Sequence, residues 1–383
     1  MKKKWLGFIL VGFMIVTSAM NARGEEVKTD AKEEAKPEAK PVTSLEDIKN
    51  LMGMSIYLQG GYTFNFQTPD SMTNEQRLFD SKANSFLIDL AQVQFAKDPA
   101  VGGLGYKLKL SYGETAKFIH SAGLGNPNDE FDLTEAYVNY VAPLGSGLKL
   151  QLGKFATYNG AEVIEARDNF NYSRSFLFNY AVPFTHTGFM AGYKFSEAFT
   201  ANLYLVNGWD VTDDNNNAKT FGASFIVTPI EPLSLTFNFT YGPEQANNTS
   251  NYRFLFDWIG AYKATKNLTF MANIDYGHEA KDPKNNGQDS EWYGIAGYAK
   301  YDFTEIISAS IRGEYFNDAD GVRTGMAQEL KEVTLTADFK LVKNLLVRPE
   351  YRHDWSTKNA FDSKNTFDMK NQDTIAVGVM YTW

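Results

Sequence analysis

Three stretches of the sequence carry charged residues at spacings that could do chemistry. From about Tyr158 to Pro183 stand Glu162, Glu165, Arg167, Asp168 and Arg174, beside Phe170, Tyr172, Phe176, Phe178 and Tyr180. Further on, Arg312 and Glu314 alternate with Ile311, Gly313 and Tyr315. A third stretch alternates Arg348, Glu350, Arg352 and Asp354 with Val347, Tyr351 and Trp355, with Pro349 between. Fixed charges around a narrow aqueous passage bias the ions found in it and so select among them. The same residues read equally well as cross-strand pairs that stiffen a wall, and one residue can do both.

Covalent catalysis finds less support. A nucleophile–histidine–acid arrangement needs a histidine within reach of an activated hydroxyl or thiol. The four histidines, His120, His186, His278 and His353, stand beside no recognisable nucleophile motif. No enzymatic activity is therefore expected. The absence of cysteine removes thiolate metal sites, disulfides and lipid attachment through cysteine. Asp213-Asp214-Asn215-Asn216-Asn217 lacks full calcium-loop spacing and reads as a solvated loop tip. No glycine-rich phosphate cradle occurs, so neither a metal nor a cofactor is expected.

The elements that hold these charges alternate with period two. At the C-terminus Ile375, Val377, Val379, Tyr381 and Trp383 share one face, and Ala376, Gly378, Met380 and Thr382 the other. Similar segments recur sixteen times, near 54–67, 84–97, 105–118, 131–142, 148–156, 184–195, 199–210, 218–228, 233–242, 251–264, 268–280, 290–303, 306–316, 329–342, 345–356 and 374–383. Short turns and longer polar loops alternate between them, giving seven turns and eight loops. That is the pattern of an all-β, antiparallel, up-and-down transmembrane barrel with both termini at the short-turn end. Period-two alternation places one face in lipid and the other in water, and sixteen strands leave room for an aqueous channel. Arg312, Glu314, Arg348, Glu350 and Arg352 then face inward, because Arg or Lys at lipid mid-depth costs about 2–4 kcal/mol. Pro349 lacks a ladder donor and predicts a bulge.

Composition agrees with a barrel. Aromatic residues make up 15% of the chain, with 29 Phe, 21 Tyr and 6 Trp, yet mean hydropathy is −0.35. No apolar run is long enough for a spanning helix. The net charge of −9, with no basic stripe, gives no support for nucleic-acid binding. Lys2, Lys3 and Lys4 before an apolar run from Trp5 to about Met20 read as a secretory signal peptide over 1–24. Residues 25–44 are rich in Lys, Glu, Ala and Pro and read as a disordered periplasmic spacer. The barrel is assigned to 45–383, with a short helix over Leu45–Met52.

Several phrases in order resemble the β-barrel porins of the OmpL-like type from Gram-negative bacteria. They include Glu135-Ala136-Tyr137-Val138, Gly153-Lys154-Phe155-Ala156-Thr157, Asn169-Phe170-Asn171-Tyr172-Ser173-Arg174-Ser175 and Pro183-Phe184-Thr185-His186-Thr187-Gly188. Val206-Asn207-Gly208-Trp209-Asp210, Tyr241-Gly242-Pro243-Glu244, Arg312-Gly313-Glu314-Tyr315-Phe316 and Glu350-Tyr351-Arg352-His353-Asp354 continue the series. The resemblance implies an outer-membrane porin in contact with outer-membrane lipid, passing ions and small hydrophilic solutes by passive diffusion. Sixteen-stranded porins are often homotrimers, and their third loop folds into the lumen. The aromatics of 158–183 would then anchor that loop, setting Glu162, Glu165 and Asp168 opposite Arg312, Arg348 and Arg352. The alternative for the loop is an outward surface position. From Leu45 onward 29 basic and 40 acidic residues leave −11, which leans toward mild cation preference. The alternative function is a non-conducting barrel serving as surface adhesin or cell-wall anchor.

Overall fold

The computed structural model describes residues 44–383 apart from 127 and 365. The expected signal peptide, and the expected spacer up to residue 43, lie outside the described residues. Ser44, at the end of that spacer, caps the helix α1 (Leu45–Met52) through a reciprocal box with Asp47. The helix occupies the predicted span and ends at Gly53, whose φ of 59° terminates it in the left-handed region.

Sixteen strands follow: β1 (Met54–Asn65), β2 (Ser85–Lys97), β3 (Leu104–Tyr112), β4 (Phe131–Ala142), β5 (Leu148–Ala156), β6 (Thr185–Ser196), β7 (Phe199–Val206) and β8 (Thr220–Ile230). The second half holds β9 (Leu233–Pro243), β10 (Tyr252–Lys263), β11 (Leu268–Asp282), β12 (Gln288–Asp302), β13 (Ile307–Asp318), β14 (Gln328–Val342), β15 (Leu345–Ser356) and β16 (Asn371–Thr382). Each pairs antiparallel with its sequence neighbours, and β1 pairs with β16 to close the barrel. The sixteen-stranded up-and-down topology read from the sequence is the observed one.

Two boundaries differ by four residues or more, and one local feature differs. The third strand stops at Tyr112 rather than 118, because Gly113 at φ 124° turns the chain into helix α2 (Glu114–Phe118). The carbonyl of Asp89 lies 2.7 Å from where a Cβ on Gly113 would sit, so a side chain there meets backbone. The seventh strand stops at Val206 rather than 210. Pro349 makes no bulge: pairing of β15 with β14 skips Ala337 and Asp338 and resumes at Phe339–Val347 in the same register. Its pairing with Val377 of β16 is undisturbed. The missing N–H is therefore absorbed as a gap in one ladder rather than as an inserted residue.

Alternation sorts the two faces. On β13, Ile311 is exposed to the outside while Ser308, Ser310, Arg312, Glu314, Phe316 and Asp318 are buried within the barrel. Outward aromatics gather toward both rims, as in Tyr241 stacked on Tyr252 at the long-loop end and Phe195 on Phe199 at the other. Tyr293 and Tyr301 mark the two girdles on β12. They lie about 27 Å apart along the strand at ~3.4 Å per residue. At a tilt of ~40° that is a height of about 20 Å, near the ~25 Å apolar band of such barrels.

Candidate functional site

The long loop between β5 and β6, residues 157–184, lies against inward-facing side chains of the wall rather than outside the barrel. Backbone that enters a barrel at membrane depth must have its N–H and C=O groups satisfied by protein or water. Here the wall supplies partners of both kinds. Arg348 donates from Nη1 to the carbonyls of Ala166 (2.6 Å) and Asn171 (2.9 Å), and Arg352 Nη1 to that of Arg174 (2.6 Å). Arg312 Nη1 reaches the carbonyl of Ser173 at 2.9 Å. Acids serve the opposite groups: Glu350 accepts from the N–H of Tyr172 (2.6 Å) and Ser173 (2.9 Å), and Glu314 from Phe176 and Leu177 (both 2.6 Å).

Further contacts tie the loop around the circumference. Asn171 donates to Thr336 on β14 at 2.7 Å, and Ser310 on β13 to the Phe170 carbonyl at 2.6 Å. Trp292 on β12 donates to the Ala181 carbonyl at 3.2 Å, and Tyr172 donates to Asp89 on β2. At the loop's start, Asn238 on β9 donates to the Tyr158 carbonyl at 2.8 Å and Ala161 N–H to Asn273 on β11 at 3.1 Å. The loop thus crosses the lumen and touches walls on opposite sides.

The sequence-derived site residues fall into three groups. Glu162 meets Arg312 directly, at 2.8 Å, and Arg312 also binds Glu332 at 2.7 Å. Arg348 pairs with Asp338 and Arg352 with Asp354, each at 2.6 Å, in addition to holding loop carbonyls. Glu165 pairs with Lys109 of β3 at 2.7 Å. Burial would raise the Glu165 carboxyl, but the Lys109 ammonium outweighs it and holds the group below the usual carboxylate range. Arg174 turns inward on its own loop, donating to the carbonyls of Val163, Ile164 and Tyr172. Of these residues only Arg167 and Asp168 remain substantially exposed, paired with each other at 3.1 Å. The expected opposition of acidic loop to basic wall across water is therefore corrected. The charges meet in contact, because a loop brought this deep loses water and needs them as hydrogen-bond partners for its backbone.

Sequence reading missed four charged members of this network. Lys109, Glu332 and Asp338 are the wall partners, and Arg77 of the first long loop pairs with Asp80 (2.8 Å) and Asp354 on β15. Their signal was available only in part: Glu332 and Asp338 sit on the same strand face as Thr334 and Thr336, so alternation put them inside. Nothing in the spacing of Arg77 announced that its loop also docks on the wall.

The interior at this level is packed. Phe176, Leu177, Phe316 and Leu330 are fully buried, and Phe79, Phe178 and Trp292 nearly so, in one apolar cluster fed by both loops and wall. Each such side chain contributes about 1.5–3 kcal/mol when withdrawn from water. The expectation of water along the whole inner face is revised accordingly. A cavity of about 380 Å³ remains beside the loop, lined by Gln94, Lys107, Lys109, Glu135, Arg167 and Asp168 among others. His186, inside the barrel, has both ring nitrogens engaged, with Thr157 Oγ1 at 3.1 Å and the Gly208 carbonyl at 3.3 Å. Among the described residues no group of three or more His, Asp or Glu is placed to hold a metal ion.

Comparison with known proteins bears on the barrel as a whole. Residues 52–383 match the family described as "Putative beta-barrel porin-2, OmpL-like". No curated protein matches the chain. Among solved structures, an anion-selective porin from Comamonas acidovorans is similar at a TM-score of 0.60 and 10% identity, covering 86% of this chain and 98% of that one. The outer-membrane channel DcaP of Acinetobacter baumannii gives 0.58 and 10%, with 86% and 96% covered. OmpT of Vibrio cholerae in its trimer form gives 0.53 and 13%, with 86% and 98% covered. At these identities the likeness is one of fold.

Proposed function

We propose that this chain, which belongs to the OmpL-like β-barrel porin family, forms an outer-membrane channel for ions and small hydrophilic solutes, without enzymatic activity. The observation that carries the reading is the sorting of charge, with Arg312, Glu314, Arg348, Glu350 and Arg352 buried on the lumenal face and apolar residues outside. An apolar outer face around a polar interior is the arrangement of a barrel that passes solutes through lipid. Diffusion is passive, and the third loop and its wall partners form the constriction. Selectivity is mild and leans to cations through the acid excess of the barrel, since Glu162 and Glu165 are already neutralised by Arg312 and Lys109. The N-terminal 1–24 acts as a cleaved leader and 25–44 as a spacer, and the barrels associate as trimers, as the solved trimer form of a similar fold suggests.

One observation favours a second reading. The wall arginines beneath the third loop are at most 1% exposed, so no water-filled gap separates the loop from that part of the wall. A permanently closed barrel would be a surface adhesin or cell-wall anchor. Planar-bilayer recording of the purified protein separates the two: discrete open steps support the channel, and a silent bilayer with correctly folded protein supports the anchor.

A further inference from the structure

A second cationic cluster stands apart from the loop clamp, at the long-loop end of the lumen. Arg253, the second residue of β10, shares the inward face with buried Leu255 and Asp257. Arg323 comes from the loop between β13 and β14, and Lys284 from that between β11 and β12. The guanidinium carbons of Arg253 and Arg323 each lie 4.8 Å from the centre of the Trp209 ring. They lie 5.9 and 5.0 Å from that of Trp292. The two indoles meet edge to face at 6.3 Å.

Like charges gathered this way repel. Burial, and then the neighbouring Arg253, push the Arg323 guanidinium down to about 10. Burial together with Arg323 and Arg253 likewise lowers the Lys284 ammonium. Only Arg253 has an acidic partner, Glu279, which takes its Nε. Arg323 gives Nε to the Tyr180 carbonyl at 2.6 Å and Lys284 gives Nζ to the Val322 carbonyl at 3.3 Å. Among the described residues neither forms an ion pair, and the Nη atoms of both arginines have no protein acceptor. Nearby acids offset part of the charge, Asp282 beside Lys284 among them, and each already accepts hydrogen bonds. Asp318 accepts from the N–H of Val322, Arg323 and Thr324, and Glu244 from Trp209 N–H and the Thr220 hydroxyl. Asp210 accepts from the N–H of Phe184 and Thr185.

We propose that Arg253, Arg323 and Lys284, braced by Trp209 and Trp292, bind a small carboxylate-bearing solute at the long-loop mouth of the lumen. A guanidinium with a free pair of Nη donors matches a carboxylate in a planar, two-bond fork, which an ammonium does not. Stacking on indole holds each fork in place before the ligand arrives, so little further side-chain freedom is lost on binding. Lys284, at the rim, takes a second carboxylate. The inference deepens the channel reading and rests on it for the site's role at an entrance, though not for binding itself.

The test is calorimetric titration of the full mature barrel, refolded in detergent, with sodium malonate at fixed ionic strength, with tryptophan emission as a second readout. Saturable binding is expected, at least tenfold weaker in Arg323→Gln and unchanged in Lys266→Gln at the opposite end. Folding of each variant is checked by heat-modifiable gel mobility. Should Arg323→Gln not fold, Arg323→Lys and Lys284→Gln replace it, and both are expected to weaken binding. Absence of saturable malonate binding by the parent, equal affinity in the variants, or binding of inorganic phosphate in preference to malonate overturns the proposal. Because binding is read without current, intact binding over a silent bilayer defeats the channel reading alone. Current without malonate binding defeats this site alone.

Discussion

Replacing Arg312 by Ala removes the side chain at the centre of the loop clamp. Its guanidinium binds Glu162 (2.8 Å), Glu332 (2.7 Å), the Ser173 carbonyl (2.9 Å) and the Ser173 hydroxyl (3.1 Å). Without it, among the described residues Glu162 loses its only cation and Glu332 keeps only Arg352, at 3.8 Å. Truncating one partner of a buried ion pair costs about 3–5 kcal/mol, because the remaining charge stays desolvated. That cost falls on the docked state alone. If the third loop lifts from the wall, water reaches both acids and most of the penalty disappears. At ~1.4 kcal/mol per factor of ten, a differential of about 3 kcal/mol moves the docked-to-lifted ratio more than about 100-fold. Single-channel recording should therefore show a large rise in open time or conductance for Arg312→Ala. Asp168→Asn, at an exposed pair, should show neither. The reciprocal experiment tethers the loop. Asn171→Cys with Thr336→Cys, whose parent side chains touch at 2.7 Å, can be joined by a short cleavable thiol crosslinker in a chain without other cysteines. Crosslinking should suppress current and cleavage should restore it. A folded Arg312→Ala barrel with parental conductance, together with a tethered barrel that conducts normally, would refute the clamp as the element that sets the opening.

Other outcomes follow from the same geometry. Burial, with Asp362 opposite, raises the Glu75 carboxyl of the first long loop from 4.5 to about 7. An acid raised on folding costs nothing below its unfolded value, and its penalty grows as pH climbs between about 4.5 and 7. Hydrogen-exchange protection in the first and last long loops, taken relative to the intrinsic base-catalysed rate at each pH, should accordingly fall from pH 5 to pH 7.5, and Glu75→Gln should remove that loss of protection. A cysteine at Thr249 should react with an impermeant reagent on intact cells and one at Glu305 should not, since they lie at opposite ends of the barrel; labelling at Glu305 on sealed cells would reverse the topology. Deleting residues 25–43 should leave insertion and conductance unchanged, whereas altered conductance would make that segment a plug.

The barrel was legible because its physics is local and repeats. Period two needs only adjacent residues, as in Leu233, Leu235, Phe237, Phe239 and Tyr241, and loop lengths fix which end is which. Departures occurred where a single residue acts through three-dimensional context. Gly113 breaks the third strand because it passes against the Asp89 carbonyl, and Pro349 keeps register because β16 holds it on the other side. Neither neighbour is visible from spacing.

The candidate site was legible as a face and not as a set of partners. Alternation states that Arg312, Arg348 and Arg352 point inward, and a long aromatic loop suggests something to meet there. It cannot say that the meeting is with backbone carbonyls, because backbone groups carry no sequence signal of their own. The distinction decides function. Charges facing each other across water act on ions, whereas charges that satisfy a loop's N–H and C=O groups act on the loop. Arg348 and Glu350 sit two residues apart on one face, yet one binds carbonyls of Ala166 and Asn171 and the other the N–H groups of Tyr172 and Ser173. Swapping their signs would therefore reverse both sets of partners while leaving the wall's net charge untouched. A double variant Arg348→Glu with Glu350→Arg should keep the reversal potential if the wall acts as a distant charge. It should undock the loop, and raise conductance, if the wall acts as a backbone receptor; parental conductance with a folded barrel would sink the second view.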